Sequence, residues 1–353
     1  MIITAFHSLT AFCVLTFFVF SHLAIAQQVD GFQHTLIDGK PSLRGSAIFD
    51  QSLWVTGTNN SVWVSQDGGK HWHDRSVKSS INNDFRDIAV FDTQTAIVMS
   101  VGSGKQSSLY KTTDAGKSWQ LLLQNQDQAG FFDSIAFWDQ DNGLLMGDPV
   151  DGYYVVKRTQ DGGKTWTRTD KVNLPSLIPS ESAFAASGNT LIVGKDNQAW
   201  LTTGGKSASV YHSNDGGLFW LRKSVPLYRS ADTAGGYGLA LNSDDDLFVV
   251  GGDYLQRDKN YPNMARYDVT KNRWKHVKSG DRGLRSAMAC NAFACIATGK
   301  TGSDISYDQG NTWQPLANPK YDNTGYFTLS ASNARFLFAG SEGKVAVLII
   351  PTE

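Results

Sequence analysis

One eight-residue pattern, returning along the 353-residue chain, decides most of what the chain can fold into. Ser65-Gln66-Asp67-Gly68-Gly69-Lys70-His71-Trp72 comes back as Thr112 to Trp119, Thr159 to Trp166, Ser213 to Trp220 and Ser306 to Trp313. A degenerate copy from Asp268 to Trp274 has lost both glycines and gained a residue. The shared form is Ser/Thr-x-Asp-x-Gly-x-x-Trp. Its chemistry is that of a tight hairpin: the aspartates (Asp67, Asp114, Asp161, Asp215, Asp308) accept hydrogen bonds from their own turn, and glycine supplies positive φ. The hydroxyl residue closes the base, and the tryptophans (Trp72, Trp119, Trp166, Trp220, Trp313) bury a large ring beside it. These side chains are therefore expected to be structural.

The pattern is known as the Asp-box or BNR repeat, and successive box aspartates are 47, 47, 54, 53 and 40 residues apart. Such periods with strand-rich content predict a β-propeller, each repeat forming a four-stranded blade. A second recurring segment precedes each box: Leu43 to Asp50, Phe85 to Asp92, Phe132 to Asp139, Glu181 to Ser187, Gly236 to Asn242, Leu284 to Ala289 and Tyr326 to Ser330. Small and apolar, these seven read as the innermost strands. The runs after them, among them Leu53–Thr56, Ala96–Ser100 and Leu191–Gly194, read as second strands. The last repeat ends with Lys344–Ile350 and lacks a fourth strand, which Phe32–Ile37 is placed to supply. That closure joins the two chain ends and removes exposed sheet edges. The expectation is an all-β, seven-bladed propeller over residues 27–353, with no separate helical domain.

Composition agrees. Of the 33 acidic residues only Glu181, Glu342 and Glu353 are glutamate. Asp favours turns and Glu helices, so a helical protein is disfavoured. Lys and Arg number 32, leaving a net charge of -1, which argues against nucleic acid or an anionic membrane as partner.

Residues 1–26 contain no Lys, Arg, Asp or Glu, and run from an apolar stretch (Leu9 to Phe20) to Ala24-Ile25-Ala26. That is the order of a signal peptide, read as cleaved after Ala26. The mature chain is then periplasmic or secreted, not stably inserted in a membrane, and expected to be monomeric. Cys290 and Cys295 remain in an oxidising compartment, flanking a tight reversal; they form either a disulfide or two free thiols on a hairpin. Cys-x4-Cys without further ligands is not a zinc site, and the histidines show no metal pattern, so neither metal nor cofactor is expected. Gly299-Lys300-Thr301 ends like a phosphate-binding loop, but Ala294 stands where the first glycine is needed and no helix follows.

Aligning the inner strands gives one column at the channel mouth: Arg44, Arg86, Asp133, Ser182, Tyr237, Arg285 and Phe327. Propeller geometry puts it on the face opposite the boxes, with the loops between second and third strands. Those loops include Gly147-Asp148-Pro149-Val150-Asp151-Gly152 and the longest, from Gly251-Gly252-Asp253-Tyr254 to Asn263. Three guanidinium forks suit a carboxylate or phosphate, on a ligand or on a partner's chain end. The alternative is that Arg44, Arg86 and Arg285 pair internally with Asp87 and Asp133 and tie blades together.

Phe85-Arg86-Asp87-Ile88-Ala89, Phe131 to Phe137, Gly147 to Gly152, Ala183 to Gly188, Gly251-Gly252-Asp253-Tyr254 and Gly302 to Ser306 together resemble the photosystem II stability/assembly factor family. The match spans nearly the whole mature chain and is nearest the exported bacterial branch. The resemblance implies a non-catalytic propeller that binds a protein partner through an arginine patch, such as a membrane-protein precursor or a chain terminus. Candidate contacts are Arg44, Arg86, Arg285, Asp148, Asp253 and Tyr254. Asp-boxes also occur in sialidases, which gives the alternative of a glycoside hydrolase acting on carbohydrate at the channel mouth, with Glu181, Tyr237 and Asp133 as its catalytic groups. Absence of an Arg-Ile-Pro motif and the blade count speak against it.

Overall fold

The computed structural model describes residues 31–316 and 323–351, so the expected leader 1–26 lies outside the described residues. They form a seven-bladed β-propeller, with helix confined to three 3-10 turns. Blades 1, 2 and 3 span 43–74, 84–124 and 132–168; blades 4, 5 and 6 span 191–224, 234–276 and 287–315. Blade 7 takes three strands from 326–349 and its outer strand, Phe32–Leu36, from the start of the chain. That strand runs antiparallel to Lys344–Ile349, pairing Phe32 with Leu348 and Leu36 with Lys344. Ile37 follows it, its N–H donating to Gly343 O at 2.8 Å.

Blades are apolar on both faces because each is covered by two neighbours, and the core is accordingly divided. Seven clusters of buried side chains fill the seven gaps between blades. One unites Trp54, Val62 and Val64 of blade 1 with Phe85, Ile88 and Val98 of blade 2. Another joins Leu53 and Val55 of blade 1 to Leu337, Val345 and Val347 of blade 7, across the seam.

The hairpins between third and fourth strands repeat one hydrogen-bond set. In blade 1, Ser65 Oγ donates to Asp67 Oδ1 (2.8 Å), Gly69 N donates to Ser65 Oγ (2.8 Å), and His71 N donates to Asp67 Oδ1 (3.0 Å). The fifth residue of each motif is a glycine at φ between +79° and +97°, which a side chain would strain. Trp72, Trp166, Trp220 and Trp313 each donate Nε1–H to that glycine's carbonyl, whereas Trp119 donates to Arg75 O. Trp220 is fully buried; the other four rings are half-buried against the blade interfaces.

Blade 4 corrects the sequence reading. Its inner strand is Leu191–Val193, its second Ala199–Thr202, its third Ser209–Ser213 and its outer Leu221–Ser224. The expected inner segment from Glu181 is instead a two-residue strand, Glu181–Ser182, on Gly204–Gly205, followed by a loop from Ala183. Its small apolar residues imitate an inner strand. The displaced register had left the wholly buried Ala199–Thr202 without a strand. Cys290 and Cys295 face each other across the first hairpin of blade 6 and are joined as a disulfide.

Candidate functional site

Five of the seven aligned column residues share a backbone device. The pairing of first and second strands slips by one residue at Arg44, Arg86, Asp133, Tyr237 and Phe327, each time leaving that residue as the extra one. A bulge re-aims a side chain out of the sheet's alternation. Here it turns all five into a single cavity of about 590 Å³ at the channel mouth. The paired strands Leu191–Val193 of blade 4 and Ala287–Cys290 of blade 6 show no such slip, and neither Ser182 nor Arg285 lines the cavity, although Ser286 does.

The three arginines thus part company. Arg285 is 1% exposed, with Nε and Nη2 each 2.7 Å from Asp304 Oδ2 and Nη1 on Arg282 O at 2.8 Å. Arg282 holds the other oxygen of Asp304, so Arg285 is an internal strut of blade 6 and not a mouth residue. Arg86 lines the mouth, but Asp84 Oδ2 takes its Nε (2.8 Å) and Nη2 (2.7 Å), while Nη1 donates to Ala185 O at 2.9 Å. Arg44 forms no ion pair among the described residues. Its Nη1 reaches Ala186 O at 3.4 Å, and its guanidinium carbon lies 4.0 Å from the centroid of the Phe327 ring. Burial, aided by the charge of Arg86, lowers its pKa to about 10. The alternative pairing with Asp87 and Asp133 does not form; the internal partners are Asp84 for Arg86 and Asp304 for Arg285. Asp87, buried in the channel, accepts instead from Ser134 Oγ (2.7 Å), Ile135 N (2.7 Å) and Ile88 N (2.8 Å).

The other predicted residues also sort themselves. Tyr237 lines the mouth, stacked on Phe184 with centroids 4.4 Å apart, its hydroxyl donating to Thr233 O at 2.6 Å. Tyr254 lines the rim, edge-on to Phe184. Asp253 lies outside the cavity lining, accepting from Thr233 Oγ1 (2.7 Å) and Leu255 N (2.9 Å); it supports the loop that holds Tyr237. Asp133 and Asp148 line the cavity on blade 3. Burial raises both carboxyls, and the charge of Asp148 raises Asp133 further.

Glu181 does not reach this cavity. It is buried behind it, its oxygens accepting from Thr203 Oγ1 (2.6 Å), Tyr211 OH (3.0 Å) and Ile178 N (3.2 Å). The Glu–Tyr pairing that a sialidase-like mechanism calls for is therefore not assembled on Tyr237.

Sequence reasoning missed several contributors, Phe131 at the start of blade 3 among them. Arg257 and Lys300 enter from the loops between second and third strands of blades 5 and 6, and Phe184 from the loop displaced from blade 4. Loop cations carry no periodic signal; their only mark was position on the correct face. Among the described residues no cluster of His, Cys, Asp or Glu could hold a metal ion, and no helix is long and apolar enough to cross a membrane.

Fold and site together define a seven-bladed propeller with a polar and aromatic pocket at one end of its channel. No family model matches the chain, and no curated protein matches it. Solved structures do. The chain is similar to YCF48 bound to D1 peptide, with a TM-score of 0.68 at 15% identity over 91% of this chain and 96% of that one. Catalytically inactive virginiamycin B lyase from Staphylococcus aureus with quinupristin gives 0.66 at 13% identity, over 91% and 99%. The GH74 xyloglucanase from Xanthomonas campestris gives 0.61 at 14%, over 89% of this chain and 53% of that one. At these identities the likeness is one of fold, and it takes in enzymes and a peptide-binding protein alike.

Proposed function

We propose that this chain is an exported, non-catalytic propeller that captures a protein partner at its channel mouth and serves as an assembly or stability scaffold. The observation that carries this reading is Arg44: a largely buried guanidinium, without a carboxylate partner among the described residues, on the wall of an open 590 Å³ cavity. Such a group is suited to an incoming carboxylate, as on an acidic side chain or a chain terminus. Arg257 and Lys300 reinforce it, and the rings of Phe184, Tyr237 and Phe327 offer apolar surface beside the charge. Likeness to YCF48 bound to D1 peptide supports a peptide in this fold, while the arginine geometry supports it in this chain.

The reading is tested with a labelled acidic peptide carrying a free C-terminal carboxylate, measured by fluorescence anisotropy against its C-terminal amide. Arg44→Ala is expected to weaken capture at least tenfold with the melting temperature nearly unchanged. Equal affinity of protein and variant for every acidic peptide tried would sink it.

Glycoside hydrolysis is the second reading, favoured by one observation: two carboxyls, Asp133 and Asp148, share the cavity wall. A panel of fluorogenic glycosides tests it, with cleavage abolished in Asp133→Asn as the supporting outcome.

A further inference from the structure

The mouth is not uniformly basic. Its cations, Arg44, Arg86, Arg257 and Lys300, come from blades 1, 2, 5 and 6, whereas blade 3 contributes Asp133 and Asp148. In a ring of seven, blade 3 lies across the channel from blades 6 and 7. Lys300 of blade 6 therefore stands across the cavity from the acidic wall, while Arg86 on the neighbouring blade 2 is held by Asp84.

Asp133 is the more telling of the pair. It is 1% exposed, placed at the bulge that turns it to the cavity, and its Oδ2 is buried without a hydrogen-bond donor. A buried carboxyl oxygen without a donor costs stability, and nearly all such atoms in folded proteins are satisfied. The nearby cation does not satisfy it: Arg86 spends Nε and Nη2 on Asp84 and Nη1 on Ala185 O. Asp148, on the second strand of the same blade, shares the wall, as does the Phe131 ring.

We propose that Asp133 and Asp148 form a second subsite in the mouth that receives an alkylammonium group, so that the captured segment carries a lysine-type cation as well as a carboxylate. This rests on the capture reading above and names the chemistry of the partner. An ammonium presents three donors and no acceptor, which matches two carboxyls facing one cavity. Phe131 adds an aromatic face of the kind that attracts a cation. A divalent ion fits less well, since calcium takes six to eight oxygens and these carboxyls have no third acidic or imidazole partner among the described residues.

The test uses the purified protein and two cationic probes of known structure, Nα-acetyl-lysine N-methylamide and 1,4-diaminobutane. Butyrate serves as the anionic control, and binding is followed by ligand-observed NMR. Both cationic probes are expected to bind, with affinity falling at least tenfold in Asp148→Asn and in Asp133→Asn, while butyrate binding is retained. If the lysine derivative binds more tightly, the source is a peptide side chain; if the diamine does, it is a free polyamine. Cationic probes that fail to bind, or that bind the variants as well as the parent, overturn the subsite. Loss of butyrate binding in Arg44→Ala reports separately on the carboxylate pole, so failure of either pole is distinguishable from failure of the other. Asp148 is only partly buried, so its variant keeps the test decisive should Asp133→Asn not fold.

Discussion

Arg44 of blade 1 lies over the ring of Phe327 of blade 7, guanidinium carbon to centroid 4.0 Å, across the seam where the propeller closes. Both occupy bulge positions, so two backbone irregularities on neighbouring blades create one cation–π contact. Such a contact orients the guanidinium while leaving donors for another group. Phe327→Leu is therefore expected to keep the fold and to weaken capture of a carboxylate peptide several-fold, through a less well-oriented Arg44. A titration by anisotropy checks it, and unchanged affinity would show that the ring contributes packing only.

Arg285 should behave in the opposite way. Removing it leaves the fully buried Asp304 with Arg282 alone, and breaking a buried pair from one side typically costs about 3–5 kcal/mol. Arg285→Ala is expected to lower stability toward urea by about 3 kcal/mol, with peptide affinity of the folded fraction preserved. A stable variant that had lost binding would reverse the assignment.

The repeated tryptophans are unequal. Trp220 is 1% exposed in the gap between blades 3 and 4, so Trp220→Ala should cost about 3–5 kcal/mol. Trp72 is half-buried and should cost clearly less. Equilibrium unfolding separates the two; equal losses would mean that the indole hydrogen bond, common to both, outweighs burial.

Asp87 makes stability pH-dependent. Burial pushes its carboxyl up to about 7, against the pull of two backbone N–H groups and the Ser134 hydroxyl. A raised carboxyl holds its proton more tightly folded than unfolded, so its penalty is absent below about pH 4 and grows as pH rises toward 7. Asp87→Asn should therefore gain on the parent between pH 5 and pH 8, by up to a few kcal/mol. Melting curves of both proteins at both pH values give the difference directly, and parallel pH dependence would show that Asp87 titrates at its ordinary value.

Much of the architecture was legible because the repeats mark five blades independently and the missing outer strand could be counted. Blade 4 was misplaced because Ala183 to Ala186 has the composition of an inner strand without the hydrogen-bond partners of one. The column of mouth residues was found by alignment, yet the letters could not separate Arg44 from Arg285. That difference lies in the register: a slip in blade 1 turns Arg44 into the cavity, whereas Arg285 precedes the paired strand Ala287–Cys290, its neighbour Ser286 takes the place in the lining, and its guanidinium is held by Asp304. One signal was available, since an aspartate between Ser303 and Ile305 in a buried third strand demands a cation nearby. Arg257, Lys300 and Phe184 sit on irregular backbone, where no periodicity announces a side chain's direction.

The strand Phe32–Leu36 finds its partner in Lys344–Ile349, so a segment made early waits for one made about 300 residues later. Until then the growing chain carries an open sheet at each extremity, inviting mispairing or attack by proteases. A chain cut short before residue 344 has no way to complete the ring. Closure therefore makes the two distant strands mutually dependent, so that loss of Lys344–Ile349 would also strip Phe32–Leu36 of its hydrogen-bond partner.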